Sequence, residues 1–213
     1  MQELLASDFE VEMVLSTESF FPELNTKTLA ARRTEVVTAT LLSQLGSFKT
    51  NETCLAQVKQ KETQAFSNAI DDHLFVLDGV GDPGNLGTII RTLDWFGYQK
   101  LVCSRDCAEF HHPKTIASTM GSFTRMEVYY EDLTTLLSAI EAPILGADAG
   151  GSNVYETAIR PASVIVMGSE SHGISAEVSS LISQKISIPR KGDAESLNVG
   201  IATGILASYL RNS

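Results

Sequence analysis

With 213 residues and 43% hydrophobic content, the chain can bury a sizeable core and has room for one domain plus a smaller one, as an ordinary globular protein does. Its formal charge of −10 excludes a protein that coats nucleic acid non-specifically, because phosphate contacts need clustered Lys and Arg. No apolar run approaches the length of a membrane span, and Met1-Gln2-Glu3-Leu4-Leu5 lacks the basic start and apolar core of a signal peptide, so the expected location is cytoplasmic, away from membranes.

Residues 1 to about 65 read as a small α/β unit, with strands expected at 11–15 and 35–37 and a helix at 38–45. The unit opens at Glu3-Leu4-Leu5-Ala6-Ser7, which resembles the middle of a helix without a cap, and this suggests that its N-terminal part is missing. The polar run 59–64 reads as a linker. From Asp71 onward strands alternate with helices, the pattern of a mostly parallel sheet covered on both faces. Strands are expected at 74–77, 100–103, 126–129, 144–147, 164–167 and 185–188, and helices at 86–96, 115–120, 133–140, 176–182 and 197–210. The domains expected are therefore 1–65 and 71–213.

Three loops at strand ends carry polar residues. The first, Asp78-Gly79-Val80-Gly81-Asp82-Pro83-Gly84-Asn85-Leu86-Gly87, has neither dinucleotide-fingerprint spacing nor a Gly-Lys-Ser/Thr phosphate loop; what remains is a tight Pro-Gly turn that delivers Asn85 to a helix start. At about 100° per residue, Leu86, Ile89, Ile90, Leu93 and Phe96 share one face of that helix and Thr88, Arg91 and Trp95 the other. An outward tryptophan wants a partner surface, so a dimer contact is expected near Arg91. Gly200 and Gly204 of the last helix are expected in the same contact, although they would also suit packing within the chain.

The second loop, Gly168-Ser169-Glu170-Ser171-His172-Gly173-Ile174-Ser175, puts a carboxylate between two glycines at a strand end, where α/β proteins bind ligands. The third is Ile188-Pro189-Arg190-Lys191-Gly192-Asp193-Ala194-Glu195-Ser196-Leu197-Asn198-Val199, in which a strand stops at a proline and a polar loop enters the last helix at Ser196-Leu197. Free N–H groups of that helix, with Ser196 and Asn198, can hold something polar; equally, Ser196 can be a plain N-cap. Arg32-Arg33, Arg91 and Arg190-Lys191 are the visible basic candidates. Cys54, Cys103 and Cys107 form neither a redox pair nor a zinc knuckle, and His111-His112 lack a third partner, so no metal is expected.

Taken in order, Asn85-Leu86-Gly87-Thr88-Ile89-Ile90-Arg91, Gly168-Ser169-Glu170-Ser171-His172-Gly173 and Ile188-Pro189 through Gly192 to Ser196-Leu197-Asn198-Val199 resemble the SpoU/TrmH family of RNA 2′-O-ribose methyltransferases, within the knotted SPOUT class. Pro113-Lys114 and the stretch from Ser118 to Gly121 resemble a further family segment. The resemblance covers about the last two thirds of the chain. It implies an α/β fold with a C-terminal trefoil knot, preceded here by what looks like the remnant of a small substrate-binding domain. It also implies a homodimer and S-adenosylmethionine (SAM) contacted by Gly168, Ile188 and Leu197, with Asn85, Arg91, Glu170, Ser196 and Asn198 forming the reacting site. On this reading SAM methylates a ribose 2′-hydroxyl of an RNA substrate, rRNA or tRNA. Arg91 acts as a clamp on phosphate and developing oxyanion, since a guanidinium stays protonated. Gly200 stands where the family usually has a second serine. Two alternatives are a non-catalytic RNA-binding or ribosome-assembly protein of the same fold, and a SPOUT base methyltransferase. The first should have lost Arg91, Glu170 or Asn198, and the second fits the Asn85/Arg91 pair less well.

Overall fold

The computed structural model describes residues 1–24, 33–46, 50–61 and 65–212. The chain divides into two compact units, Met1–Thr63 and Gln64–Ser213. In the first, β1 (Val11–Ser16) lies between β2 (Arg33–Val36), to which it is parallel, and β3 (Cys54–Val58), to which it is antiparallel. Helices α1 (Gln2–Leu5) and α2 (Ala39–Leu45) belong to the same unit. Val14 and Leu15 of β1 and Leu42 of α2 are buried. Thr38, expected as the first helical residue, is the cap instead: its side chain accepts the Leu41 N–H at 3.2 Å. Strand β3 was not expected, because its sequence lacks a clear apolar alternation and none of its residues is fully buried. The expected linker also needs correction. The Lys59 N–H bonds the Glu10 carbonyl at 2.9 Å and Lys61 pairs with Asp8, so both lysines are tied to the small unit; residues 62–64 and Arg32 lie outside the described residues.

The second unit is a six-stranded sheet in which every pairing is parallel. Its strands are β4 (Leu74–Asp78), β5 (Lys100–Ser104), β6 (Glu127–Glu131), β7 (Ile144–Asn153), β8 (Val164–Gly168) and β9 (Gln184–Ser187), in the spatial order β6-β5-β4-β8-β7-β9. β4 and β8 are buried along nearly their whole length, as continuous apolar runs at the centre of a parallel sheet require. Alternation within β4 splits the core in two. Phe75 and Leu77 join a cluster with α3 (Pro83–Trp95) and α7 (Val199–Asn212), whereas Leu74 and Val76 join one with α5 (Leu133–Ser138) and α6 (Ala176–Ser179). Helices therefore cover both faces. Strand β7 runs six residues beyond the expected 144–147, with a bulge between Ala147 and Ser152 against β9.

Helix α3 shows how the sequence sets its own limits. Asp82 caps it, its carboxylate accepting the Asn85 N–H at 2.9 Å, and Pro83 occupies the first turn. At the other end Gly97, at φ +77°, lets the Gly97 N–H reach the Asp94 carbonyl and the Tyr98 N–H the Leu93 carbonyl, both at 3.0 Å, closing the helix with a Schellman turn. Leu86, Ile89, Ile90 and Leu93 are fully buried, and truncating any one to Ala would cost about 2–5 kcal/mol. Helix α4 (Pro113–Ser118) packs against α3 at Gly87, where a Cβ would stand 2.5 Å from both the Ser118 Cβ and the Thr115 carbonyl oxygen.

Helix α7 packs along the same helix. A Cβ on Gly200 would stand 3.3 Å from the Thr88 Cγ2, and one on Gly204 3.4 Å from the Thr92 Cγ2. Within the chain, both glycines let α7 lie close to α3. Among the described residues no helix is long and apolar enough to cross a membrane.

Candidate active site

Strand order reverses at β4 and β8, which lie side by side with Asp78 opposite Gly168. In a parallel α/β sheet this is where a crevice opens beyond the carboxyl ends of the strands. Two ties hold the loops there. The buried Asp78 carboxylate accepts the Ser175 N–H at 2.7 Å, fastening the start of α6 to the end of β4, and the Gly79 N–H bonds Ser104 Oγ at 2.9 Å. Asp78 was missed from the sequence because a strand-end aspartate has no motif of its own; Asp82 was legible as the N-cap of an Asp-Pro-Gly-Asn helix start but was not read so.

Over this crevice Asn85, Glu170 and Asn198 meet. Asn198 Oδ1 accepts the N–H groups of Gly200 (2.9 Å) and Ile201 (3.3 Å), capping α7. Its Nδ2 donates to Asn85 Oδ1 at 3.0 Å, and Asn85 Nδ2 donates to Glu170 Oε1. The direction of this relay is forced. Because the helix N–H groups can only donate, Asn198 must turn its amide N–H outward, Asn85 must accept it, and the remaining Asn85 N–H must face the carboxylate. A chain of oriented dipoles thus runs from the positive end of α7 to Glu170. Asn198, not Ser196, caps the last helix, which begins at Val199 rather than at residue 197.

The other expected residues stand differently. Ser196 is exposed and makes no hydrogen bond among the described residues. Arg91 is exposed on the outer face of α3, with no partner among the described residues, and Trp95 on that face is 84% exposed. Gly168 is a packing necessity: a Cβ there would stand 2.2 Å from the Gly173 carbonyl carbon, because the 168–175 loop folds back on itself through paired Ser169 and Gly173 backbone bonds. Ile188 is half-buried against the core, and Leu197 is 46% exposed. From Pro189 to Leu197 the only hydrogen bond among the described residues runs from Arg190 Nη1 to the Ala194 carbonyl, at 3.3 Å. Backbone donors and acceptors of this loop are available to a ligand, which suits a cofactor held largely through main-chain groups.

The sequence model of the SpoU rRNA Methylase family matches residues 72–208, from β4 through most of α7. The chain belongs to that family. It is 32% identical over 149 residues to the 23S rRNA (guanosine(2553)-2′-O)-methyltransferase RlmP of Bacillus subtilis (strain 168), a match covering 65% of this chain and 57% of that one. The chain spans about half the length of the curated relatives it matches. A solved TrmH-family structure from Porphyromonas gingivalis is 30% identical and superposes with a TM-score of 0.86, covering 99% of this chain and 86% of that one. The SpoU methyltransferase AviRb of Streptomyces viridochromogenes, solved in complex with the cofactor AdoMet, shares the fold at a TM-score of 0.85 and 20% identity, over 99% of this chain and 86% of that one.

Proposed function

We propose that the chain transfers a methyl group from SAM to a ribose 2′-hydroxyl of structured RNA, rRNA or tRNA. The observation that carries this reading is the Asn198–Asn85–Glu170 relay, which joins the three family motifs at the carboxyl end of the central strands. A chain that had kept only the fold would have no reason to keep that network. Its close relatives support the reading, RlmP being a 23S rRNA guanosine 2′-O-methyltransferase.

SAM, bound between the loops at Gly168, Ile188 and Leu197, supplies an electrophilic methyl on a sulfonium. The chain's own task is to place a weakly acidic hydroxyl and stabilise the charge that develops on its oxygen. The relay fixes the second N–H of Asn85 and the free oxygen of Glu170 in space, so both are held ready for a ribose hydroxyl. Arg91, six residues further along α3, stays protonated and clamps phosphate and oxyanion. Ser196 and the open backbone of 189–197 close the site from the other side. The small unit, Met1–Thr63, serves as a substrate-binding domain, and the return of the chain from the sheet edge at β9 to Asn85 supports the threaded C-terminal knot of the family. A second copy packs on the outer face of α3, through Trp95, and on α7. The work requires no metal, and a protein acting on rRNA or tRNA works inside the cell.

Calorimetric titration with SAM and S-adenosylhomocysteine tests the cofactor, with and without chelator. Absence of binding to well-folded protein would sink the enzyme reading, and loss on chelation would sink its metal-free part. Mass-spectrometric mapping of RNA methylation in cells with and without the protein then identifies the nucleotide.

A further inference from the structure

The side chain that carries the relay, Asn85, sits on the third residue of α3, and its backbone is held from outside the three motifs that the relay joins. Asp82 Oδ1 accepts the Asn85 N–H at 2.9 Å, while Asp82 Oδ2 receives Lys114 Nζ, from α4, at 2.7 Å. Lys114 reaches Asp82 by lying across Gly84, where a Cβ would stand 3.1 Å from its Cε and 3.4 Å from its Nζ. Three residues on, Gly87 brings the α4 backbone against α3. The result is a two-point joint, glycine contact and ion pair, that fixes the first turn of α3 relative to α4. The Lys114 ammonium bonded to it, with the Asn85 N–H, holds the Asp82 carboxyl below its ordinary value of 3.8.

Both members of the pair are about half exposed, so its contribution to overall stability is small. Its geometry is nonetheless specific, because the aspartate is gripped on one oxygen by the lysine and on the other by the residue that must face Glu170 and Asn198. We propose that Lys114 and Asp82 are positioning residues for the methyl transfer, holding Asn85 at the angle at which it can bond Asn198 and Glu170 together. Neither is assigned contact with the reacting atoms. The inference rests on the methyltransferase reading above, but the placement of Asn85 is measurable without it.

Two measurements on the full chain test it. In ¹⁵N spectra, the Asn85 backbone and side-chain amides of the parent follow the titration of Asp82; Lys114→Met raises the Asp82 midpoint and shifts both Asn85 signals, and Lys114→Arg restores them. An Asn85 side-chain signal unmoved by Lys114→Met would overturn the proposal, whatever the enzyme's substrate. The second arm follows transfer of labelled methyl from SAM to total RNA, rRNA and tRNA together, from cells lacking the protein. Lys114→Met and Asp82→Asn each lower kcat about tenfold or more at unchanged SAM affinity and melting temperature, and the double variant is no worse than either alone. A Lys114→Met enzyme with parent kcat and only a raised KM for RNA would make the lysine a phosphate contact and overturn the positioning role. A parent protein inactive on that RNA would count against the methyltransferase reading and leave the spectroscopic arm to decide the joint.

Discussion

Replacing Asn198 separates its two duties. Its Oδ1 caps α7 with two N–H bonds and its Nδ2 feeds Asn85. Asn198→Ala removes both. Loss of the cap costs about 1 kcal/mol, and loss of one exposed amide–amide bond about 0.5–1 kcal/mol, so the variant should be about 1.5–2 kcal/mol less stable. Asn198→Asp keeps the acceptor and adds negative charge at the positive end of α7, which compensates by about 0.3–1 kcal/mol at the cap. What it cannot do is donate. An aspartate oxygen now faces Asn85 Oδ1, the Asn85 amide must turn to answer it, and its own oxygen is then set against Glu170. Asn198→Asp should therefore melt within about 0.5 kcal/mol of the parent and transfer methyl roughly ten- to a hundredfold more slowly. Denaturant unfolding and single-turnover transfer of labelled methyl measure the two effects on the same samples. An Asn198→Asp enzyme at parent rate would refute the relay, and one as unstable as Asn198→Ala would refute the capping role.

Arg91→Ala should change stability by no more than about 0.5 kcal/mol, since the side chain has no partner to lose among the described residues, and should leave SAM affinity alone. Transfer should fall by roughly a hundredfold or more, with poor rescue by lysine; loss of SAM binding would move Arg91 to the cofactor side. Trp95→Glu, at an 84% exposed position, should yield monomers by light scattering, and unchanged assembly would remove this face from the interface. Gly87→Ala should destabilise by about 1–3 kcal/mol, because its Cβ meets the α4 backbone at 2.5 Å, while Gly81→Ala, with nothing within 4 Å, should be near neutral in the same unfolding assay.

Strands β4 and β8 were legible because continuous apolar runs such as Leu74-Phe75-Val76-Leu77 have no other stable home than a doubly covered sheet. The angular reading of α3 also held: its four buried apolar residues and its bare Trp95 fall where a 100° step puts them. Three things were hidden for physical reasons. β3 is a partly exposed strand, so no strong pattern marks it. A stripe of glycines reads the same whether it meets a second copy or its own chain, and the approach of Gly200 and Gly204 to Thr88 and Thr92 is visible only in the fold. The start of α7 was misplaced because serine and asparagine are both good caps two residues apart, and only the position of Asn85 selects between them. Asn85, Glu170 and Asn198 could be named as a set from their motifs, but the order of donors and acceptors among them is a property of the fold.

The spatial order β6-β5-β4-β8-β7-β9 also governs how the molecule comes to exist. With every pairing in this sheet parallel there is no hairpin to start from, and the central pair joins Leu74 to Val164. Closing so long a loop costs entropy before any contact repays it, which makes such a sheet a slow folder compared with one built from hairpins. On a ribosome the β4–β5–β6 half can emerge and wait, but its open edge at β4 is sealed only when β8 arrives. The relay is later still, because Asn198 follows β9. The complete relay is thus among the last features the nascent chain acquires, and a chain stopped before Asn198 would hold most of a core and the Asn85–Glu170 bond but not the link to the last helix.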